Sequence, residues 1–182
     1  MAYTYDYPRP MVTVDSVLFR LAGGALQTLL VLRGREPCKG TWVFPGGFIE
    51  MGETLVAAAR RELAEETGLS NIELEPLGAF DAPDRDTRGR VISFAFVGLV
   101  HDPACKATAG DDAEDARWFD AAAPPAMGFD HRQMLEQGLA WLAAGVGIPT
   151  PPPRCLRELT GARREALRQA LSTTAAINIR AL

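Results

Sequence analysis

The sequence predicts an α/β or α+β domain built on a mixed β-sheet, and three observations support this class. Segments with strand character lie both before and after an early helical segment. Hydrophobic residues make up 47% of the 182 residues, which is enough to bury a sizeable core. The length is that of about one domain.

The strands are predicted from alternation and from the turn residues that bound them. Residues 11–19 are β-branched and alternating, and residues 26–32 are apolar and bounded by glycines. We expect these two strands to pair through the Gly23-Gly24 turn. Trp42–Phe44 forms a short apolar piece that ends at Pro45. Further strands are predicted at residues 72–80, 91–100 and 116–119.

Three helices are predicted from apolar periodicity and end signals. The first covers residues 54–67, where Glu53 and Thr54 favour the start and Gly68 ends the helix. The second covers residues 130–144. The third, at residues 157–171, is amphipathic, with leucines opposite arginines.

A proline-rich stretch divides the chain into two unequal parts. Residues 148–153 have the composition of a stiff extended linker. We therefore assign residues 1–148 to the main domain and residues 149–182 to the linker and a short basic helix. Residues 154–182 carry six arginines and two glutamates, whereas the whole chain has a net charge of −4. The basic helix is expected to pack on its own domain or on a second subunit.

Composition excludes several classes of protein. The mild acidity argues against a general nucleic-acid binder, which carries a basic excess. Cys38, Cys105 and Cys155 are too far apart in sequence to suggest a disulfide framework or a cysteine metal site, so we expect a reducing compartment. We also expect no bilayer-spanning segment and no secretory signal, and therefore a cytoplasmic protein.

The first predicted helix carries glutamates with a specific spacing. Glu62, Glu65 and Glu66 are at positions i, i+3 and i+4, which places them on one face. Carboxylates gathered in this way repel one another, and a hard divalent cation would reverse that repulsion because Mg²⁺ and Mn²⁺ prefer oxygen ligands. The alternative is a solvated surface with ordinary charge pairs.

The segment that contains this helix resembles the signature of the Nudix hydrolases. Residues 47–69 read Gly, five residues, Glu, seven residues, then Arg-Glu-apolar-any-Glu-Glu-any-Gly-apolar, and every specified position is matched. The resemblance implies the α/β/α sandwich of that family, with a mixed sheet. It also implies hydrolysis of a nucleoside diphosphate linked to another moiety.

The resemblance implies roles for the acidic residues. Glu62, Glu65 and Glu66 would hold Mg²⁺, with Mn²⁺ as a substitute, together with the backbone carbonyl of Gly46. Either Glu65 or Glu66 would take the proton of the attacking water. Glu53 would orient Arg61 and the helix.

A further catalytic acid is expected from a later loop. Glu114 and Asp115 both precede Trp118 at a suitable distance, and relatives have glutamate at the position of Asp115. The assignment between the two stays open, with Glu114 as our candidate. A solvated acidic turn is the alternative for the cluster at residues 111–115.

The loop at residues 80–90 indicates the substrate class. It resembles the corresponding loop of ADP-ribose pyrophosphatase-like Nudix proteins, although Thr87 replaces a proline. Arg85 and Arg88 would bind a diphosphate or a ribose, or else form internal ion pairs. Phe44 would stack on a base or fill the core. Gly47 is also assigned to substrate contact.

Two alternative functions accompany this interpretation. A nucleoside triphosphate housecleaning pyrophosphatase is the enzymatic one. A non-catalytic Nudix regulator that senses metabolites is the other, although residues 154–182 are too few for a winged-helix domain. His131 is interpreted as mainly structural. A homodimer is expected by analogy with the family.

Overall fold

The computed structural model describes residues 4–110, 113–147 and 153–180. Within these residues the chain forms one mixed sheet of seven strands. The strands are β1 (Met11–Ala22), β2 (Ala25–Arg33), β3 (Trp42–Val43), β4 (Gly46–Phe48), β5 (Glu75–Phe80), β6 (Val91–Val100) and β7 (Ala113–Asp120). The helices are α1 (Leu55–Thr67), α2 (His131–Gly147) and α3 (Gly161–Arg180), and a single 3₁₀ turn occupies Arg154–Leu156.

Strand β1 is the centre of the sheet. It pairs in parallel with β6 and antiparallel with β2 and β4. Strand β2 continues the sheet through β3 and β7, and β5 borders β6 on the other side. The predicted pairing of the first two strands through the glycine turn is therefore confirmed, as is the mixed sheet.

The two faces of the sheet are covered by different helices. Successive side chains of a strand point to opposite faces, so Val14 and Leu18 of β1 face α1. Val17 and Phe19 instead join a core cluster with residues of α2 and α3. The molecule therefore has a helix–sheet–helix layering, which confirms the predicted α/β/α sandwich.

Helix α1 has well-defined ends. The Thr54 hydroxyl oxygen accepts a hydrogen bond from the Ala57 N–H at 3.3 Å, which satisfies one of the free amides of the first turn. Gly68 ends the helix in the left-handed conformation with φ of 70°, and its N–H donates to the Ala64 carbonyl. Both boundaries were predicted from the sequence.

Several other boundaries differ from the prediction. Strand β4 was not predicted, because Gly46 and Gly47 are typical of a turn and pair with β1 only through the backbone. Strand β5 begins at Glu75, not at residue 72, and β7 begins at Ala113, not at residue 116. Helix α2 extends to Gly147, beyond the expected residue 144.

Helix α3 packs on the same domain. Leu167 and Leu171 are buried in the core cluster that α2 contributes to, and the Arg163 guanidinium donates to the His101 carbonyl. The helix runs from Gly161 to Arg180, whereas residues 157–171 were expected. Most of the predicted linker, residues 148–152, lies outside the described residues. No described helix is both long and apolar enough to cross a bilayer.

Candidate active site

The signature segment and three later segments surround one cavity of about 590 Å³. Strand β4, the second half of α1 and the loop between β5 and β6 all contribute lining residues. The start of α2 and the buried Asp15 of β1 also line the cavity. Glu62, Glu65 and Glu66 therefore share this cavity with Arg85 and Arg88.

Arg61 connects the acidic side chains of the signature. Its guanidinium contacts Glu53 at 2.7 Å, Glu62 at 2.8 Å and Glu65 at 3.0 Å, and it also donates to the Phe48 carbonyl at 3.1 Å. The hydrogen bond from Arg61 lowers the pKa of Glu53. The Arg61 guanidinium thus holds three carboxylates in fixed directions, and it ties the helix to the chain segment that precedes it.

Glu66 lies deeper than its neighbours. Its Oε2 atom accepts a hydrogen bond from the Gly46 N–H at 2.9 Å. Burial raises the pKa of Glu66 to about 8, and burial also raises the pKa of Glu62. These shifts show that the surroundings compensate the two negative charges incompletely.

The donor set fits a hard divalent cation by its chemistry. It consists of carboxylate oxygens, which are the ligands that Mg²⁺ and Mn²⁺ prefer, and of two groups that burial disfavours in the charged form. Within residues 4–110, 113–147 and 153–180, no three His, Cys, Asp or Glu side chains stand already arranged as metal ligands. Arg61 contacts two of the three expected carboxylates instead.

The raised pKa of Glu66 predicts a pH dependence of stability. A folded-state pKa of about 8 against an ordinary value of 4.5 means that stability is full below pH 4.5 and is lost as the pH rises towards 8. In a chelator, the melting temperature of the wild type should therefore fall across this window relative to that of Glu66→Gln. Mg²⁺ should reduce the difference, because the cation replaces the proton. The same change of melting temperature with pH in the two proteins would contradict this prediction.

Arg85 and Arg88, the two candidate arginines of the substrate loop at residues 80–90, are both paired within the protein. Arg85 makes two hydrogen bonds to Asp130, at 2.6 and 2.9 Å, and its side chain is only 4% exposed. Arg88 pairs with the buried Asp86 at 2.6 Å but is 34% exposed, and its guanidinium lies 4.9 Å from the Phe48 ring centre. The internal ion pairs are therefore present, and Arg88 also presents a charged surface to the cavity.

Two candidates have little exposed contact with the cavity. Phe44 lines the cavity but is 1% exposed and packs in the core, which favours the core-filling alternative. Glu114 is exposed and is not among the described residues that line the cavity, because β7 directs it away. Asp115 pairs with Arg117 at 2.5 Å. The neighbouring Asp111 and Asp112 lie outside the described residues.

Gly47 meets the cavity through its backbone. A Cβ atom at this position would overlap the Glu62 carboxylate, so the absence of a side chain leaves room for that group. Gly46 is equally close to β1, where a Cβ atom would overlap the Val14 carbonyl oxygen. The two glycines therefore allow β1, β4 and α1 to approach one another at the cavity.

Asp15 and His131 also line the cavity, although neither was assigned to the site from sequence. Asp15 is 7% exposed and His131 is 4% exposed, and they approach each other at 3.5 Å. A signal for Asp15 was present, because an acidic residue lies within the apolar alternation of β1 on the side of Val17 and Phe19. No local pattern indicated that His131 would meet it.

Comparison with known proteins gives the family. The NUDIX domain model matches residues 9–138. The chain is 40% identical over 135 residues to an ADP-ribose pyrophosphatase of Methanocaldococcus jannaschii, covering 74% of this chain and 76% of that protein. It is also 34% identical over 141 residues to the ADPR responsive transcriptional repressor NtrR of Acinetobacter baylyi, covering 75% of this chain and 56% of the repressor.

Solved structures agree with the sequence comparison. The NUDIX domain of Shewanella oneidensis NrtR, complexed with ADP ribose, is 31% identical with a TM-score of 0.69, over 76% of this chain and 94% of that one. A bifunctional NMN adenylyltransferase/ADP ribose pyrophosphatase of Francisella tularensis, complexed with AMP and a manganese ion, is 32% identical with a TM-score of 0.65, over 75% of this chain and 43% of that one. The chain therefore belongs to the NUDIX family.

Proposed function

We propose that this protein is a Mg²⁺-dependent hydrolase that cleaves the diphosphate of ADP-ribose or of a similar nucleoside diphosphate sugar and releases a nucleoside monophosphate. The observation that carries the proposal is one cavity that is lined both by the three glutamates of α1 and by Arg88. The identity of 40% to an ADP-ribose pyrophosphatase supports the substrate class.

Each residue of the signature would have a separate role in the reaction. Glu62, Glu65, Glu66 and the Gly46 carbonyl would hold the cation, which when bound neutralises the diphosphate and activates a water molecule. Glu66 is buried and fixed by the Gly46 amide, so it suits a ligand role. Glu65 is 45% exposed and is the more accessible proton acceptor. Glu53 and Arg61 would hold the helix and Glu62 in place.

A substrate screen tests the proposal. Purified protein should release a nucleoside monophosphate from ADP-ribose with Mg²⁺ or Mn²⁺, and lose this activity in a chelator. Nucleoside triphosphates and dinucleotides serve as competing substrates. Faster turnover of a nucleoside triphosphate would favour the housecleaning alternative, and no turnover of any diphosphate compound would remove the enzymatic proposal.

The two arginines of the substrate loop should respond differently to replacement. Arg88→Ala should raise KM about tenfold with little change in kcat, because one charge-assisted contact to the substrate is lost. Arg85→Ala should instead lower the free energy of unfolding by about 3 kcal/mol, because Asp130 is left buried without its partner. Urea unfolding and initial rates separate the two effects. An unchanged KM in Arg88→Ala would return that residue to a purely internal role.

A metabolite-responsive regulator is the second candidate, because a repressor is among the relatives. The arginines of α3 give this candidate little support. Arg163, Arg164 and Arg168 each donate to a backbone carbonyl of their own domain, at His101, Leu156 and Val146 respectively. A mobility-shift assay with promoter DNA, with and without ADP-ribose, tests the regulator directly.

A further inference from the structure

A histidine side chain completes a backbone ladder beside the site. The segment before α2 runs along β3, where the Trp42 N–H donates to the Ala126 carbonyl at 3.4 Å and the Gly128 N–H donates to the Trp42 carbonyl at 2.9 Å. Two residues after Trp42, the Phe44 N–H points to the same side of the chain, and it donates to His131 Nδ1 at 2.8 Å. The imidazole thus takes the place of the next backbone acceptor.

This hydrogen bond fixes the protonation of the ring. Because Nδ1 accepts from an amide, the proton of the neutral imidazole is on Nε2, which faces Asp15 Oδ1 at 3.5 Å. The other Asp15 oxygen accepts from the Ser93 hydroxyl. Phe44 and Phe129 pack against the ring with centroid distances of 5.6 and 5.5 Å, so its orientation is restricted.

The backbone before α2 is bent to bring the ring back to β3. Phe129 adopts a left-handed conformation with φ of 52°, which costs about 1 kcal/mol for a residue with a Cβ atom. This turn leads directly into α2, which begins at His131. The rest of the fold holds this strained turn, and the turn directs the imidazole to the Phe44 amide.

We infer that His131 is a positioning residue that, through the Phe44 amide, fixes the segment that carries the Gly46 amide against Glu66. The same segment is also held by the Pro45 carbonyl, which accepts from the Ser16 N–H at 2.8 Å, and by the pairing of Gly46 and Gly47 with β1. His131 does not act as a base, because its free lone pair is used by Phe44. The inference rests on the proposed function only for its effect on turnover.

Asparagine and glutamine distinguish this role from simple core filling. The Asn side-chain oxygen lies near the position of Nδ1, whereas the Gln amide lies near that of Nε2. His131→Asn should therefore keep the bond to Phe44, and its kcat should stay within about threefold of the wild type. His131→Gln should lose the bond and lower kcat about 100-fold, as expected for misplacement of a ligand by about 1 Å. KM for ADP-ribose should change little in both, because the ion pair of Arg88 is made with Asp86 and not with His131.

Two measurements do not depend on catalysis. Amide hydrogen exchange should show Phe44 and Gly46 protected in the wild type and in His131→Asn, but not in His131→Gln. The rise in melting temperature on adding Mn²⁺ should likewise be larger in the wild type and in His131→Asn than in His131→Gln. If the wild type does not hydrolyse ADP-ribose but these two measurements behave as expected, the proposed function fails and the positioning role stands.

Equal exchange, equal Mn²⁺ response and equal kcat in the Asn and Gln variants would overturn the inference. Asp15→Asn provides a second test if His131→Gln does not fold. Its amide can donate to Nε2 and so favour the tautomer that carries the proton on Nδ1, which cannot accept from Phe44. The Phe44 amide should then exchange faster than in the wild type, and unchanged protection would also contradict the inference.

Discussion

Glu66→Gln is expected to keep the fold and to lose turnover of ADP-ribose by about 10³-fold. The glutamine oxygen can still accept from the Gly46 N–H, so the local backbone should not move. The substitution replaces a charged cation ligand by a neutral one, so the negative charge of the site no longer balances the cation. An effect of about this size is typical when a preorganised electrostatic group is lost. Initial rates over a Mg²⁺ titration measure the loss.

A matched control is Glu136→Gln, which makes the same chemical change at an exposed residue of α2 that pairs with Arg132 on the surface. Its turnover should equal that of the wild type. Turnover of Glu66→Gln within a few-fold of the control would refute the metal-binding role of Glu66. Glu65→Gln belongs in the same series, because it tests the proposed proton acceptor.

Gly46→Ala is expected to destabilise the protein by about 3 kcal/mol, as for overpacking against atoms that cannot move. The new methyl group would meet the Val14 carbonyl oxygen and the Asp15 Cα atom, both of which belong to the backbone of the central strand. The β1–β4 pairing would have to open to relieve the overlap. Urea unfolding should show the loss, and the melting temperature should fall by roughly 10 °C.

Gly47→Ala separates stability from activity at the next residue. The atoms nearest to its methyl group would be those of the Glu62 carboxylate, which is the end of a flexible side chain and can rotate away. We expect a stability loss of about 1 kcal/mol but a turnover loss of about 100-fold, because Glu62 would be displaced. If Gly46→Ala were as stable as Gly47→Ala, the close approach of β4 to β1 would be wrong.

The parts of the structure that were predicted correctly depend on local patterns. The ends of α1 follow from Thr54 and Gly68, and the clustering of Glu62, Glu65 and Glu66 follows from helical spacing alone. The pairing of β1 with β2 follows from a glycine turn between two apolar segments. In each case the information lies within a few residues.

The parts that were missed depend on contacts between distant segments. Asp15 and His131 meet because the start of α2 packs against β1, which no spacing in the sequence reveals. Arg85 pairs with Asp130 for the same reason, since 45 positions separate them. Strand β4 escaped prediction because its glycines have no side chains whose alternation could indicate a strand.

The hydrophobic core extends beyond the part of the chain that matches the family, because α3 belongs to it. The match to the family ends at residue 138, inside α2, whereas the apolar layer continues through Leu142, Leu156 and Leu167. A chain that ended at residue 138 would expose this apolar surface and would be prone to aggregation. The last quarter of the polypeptide thus completes the core, and none of its described residues lines the cavity.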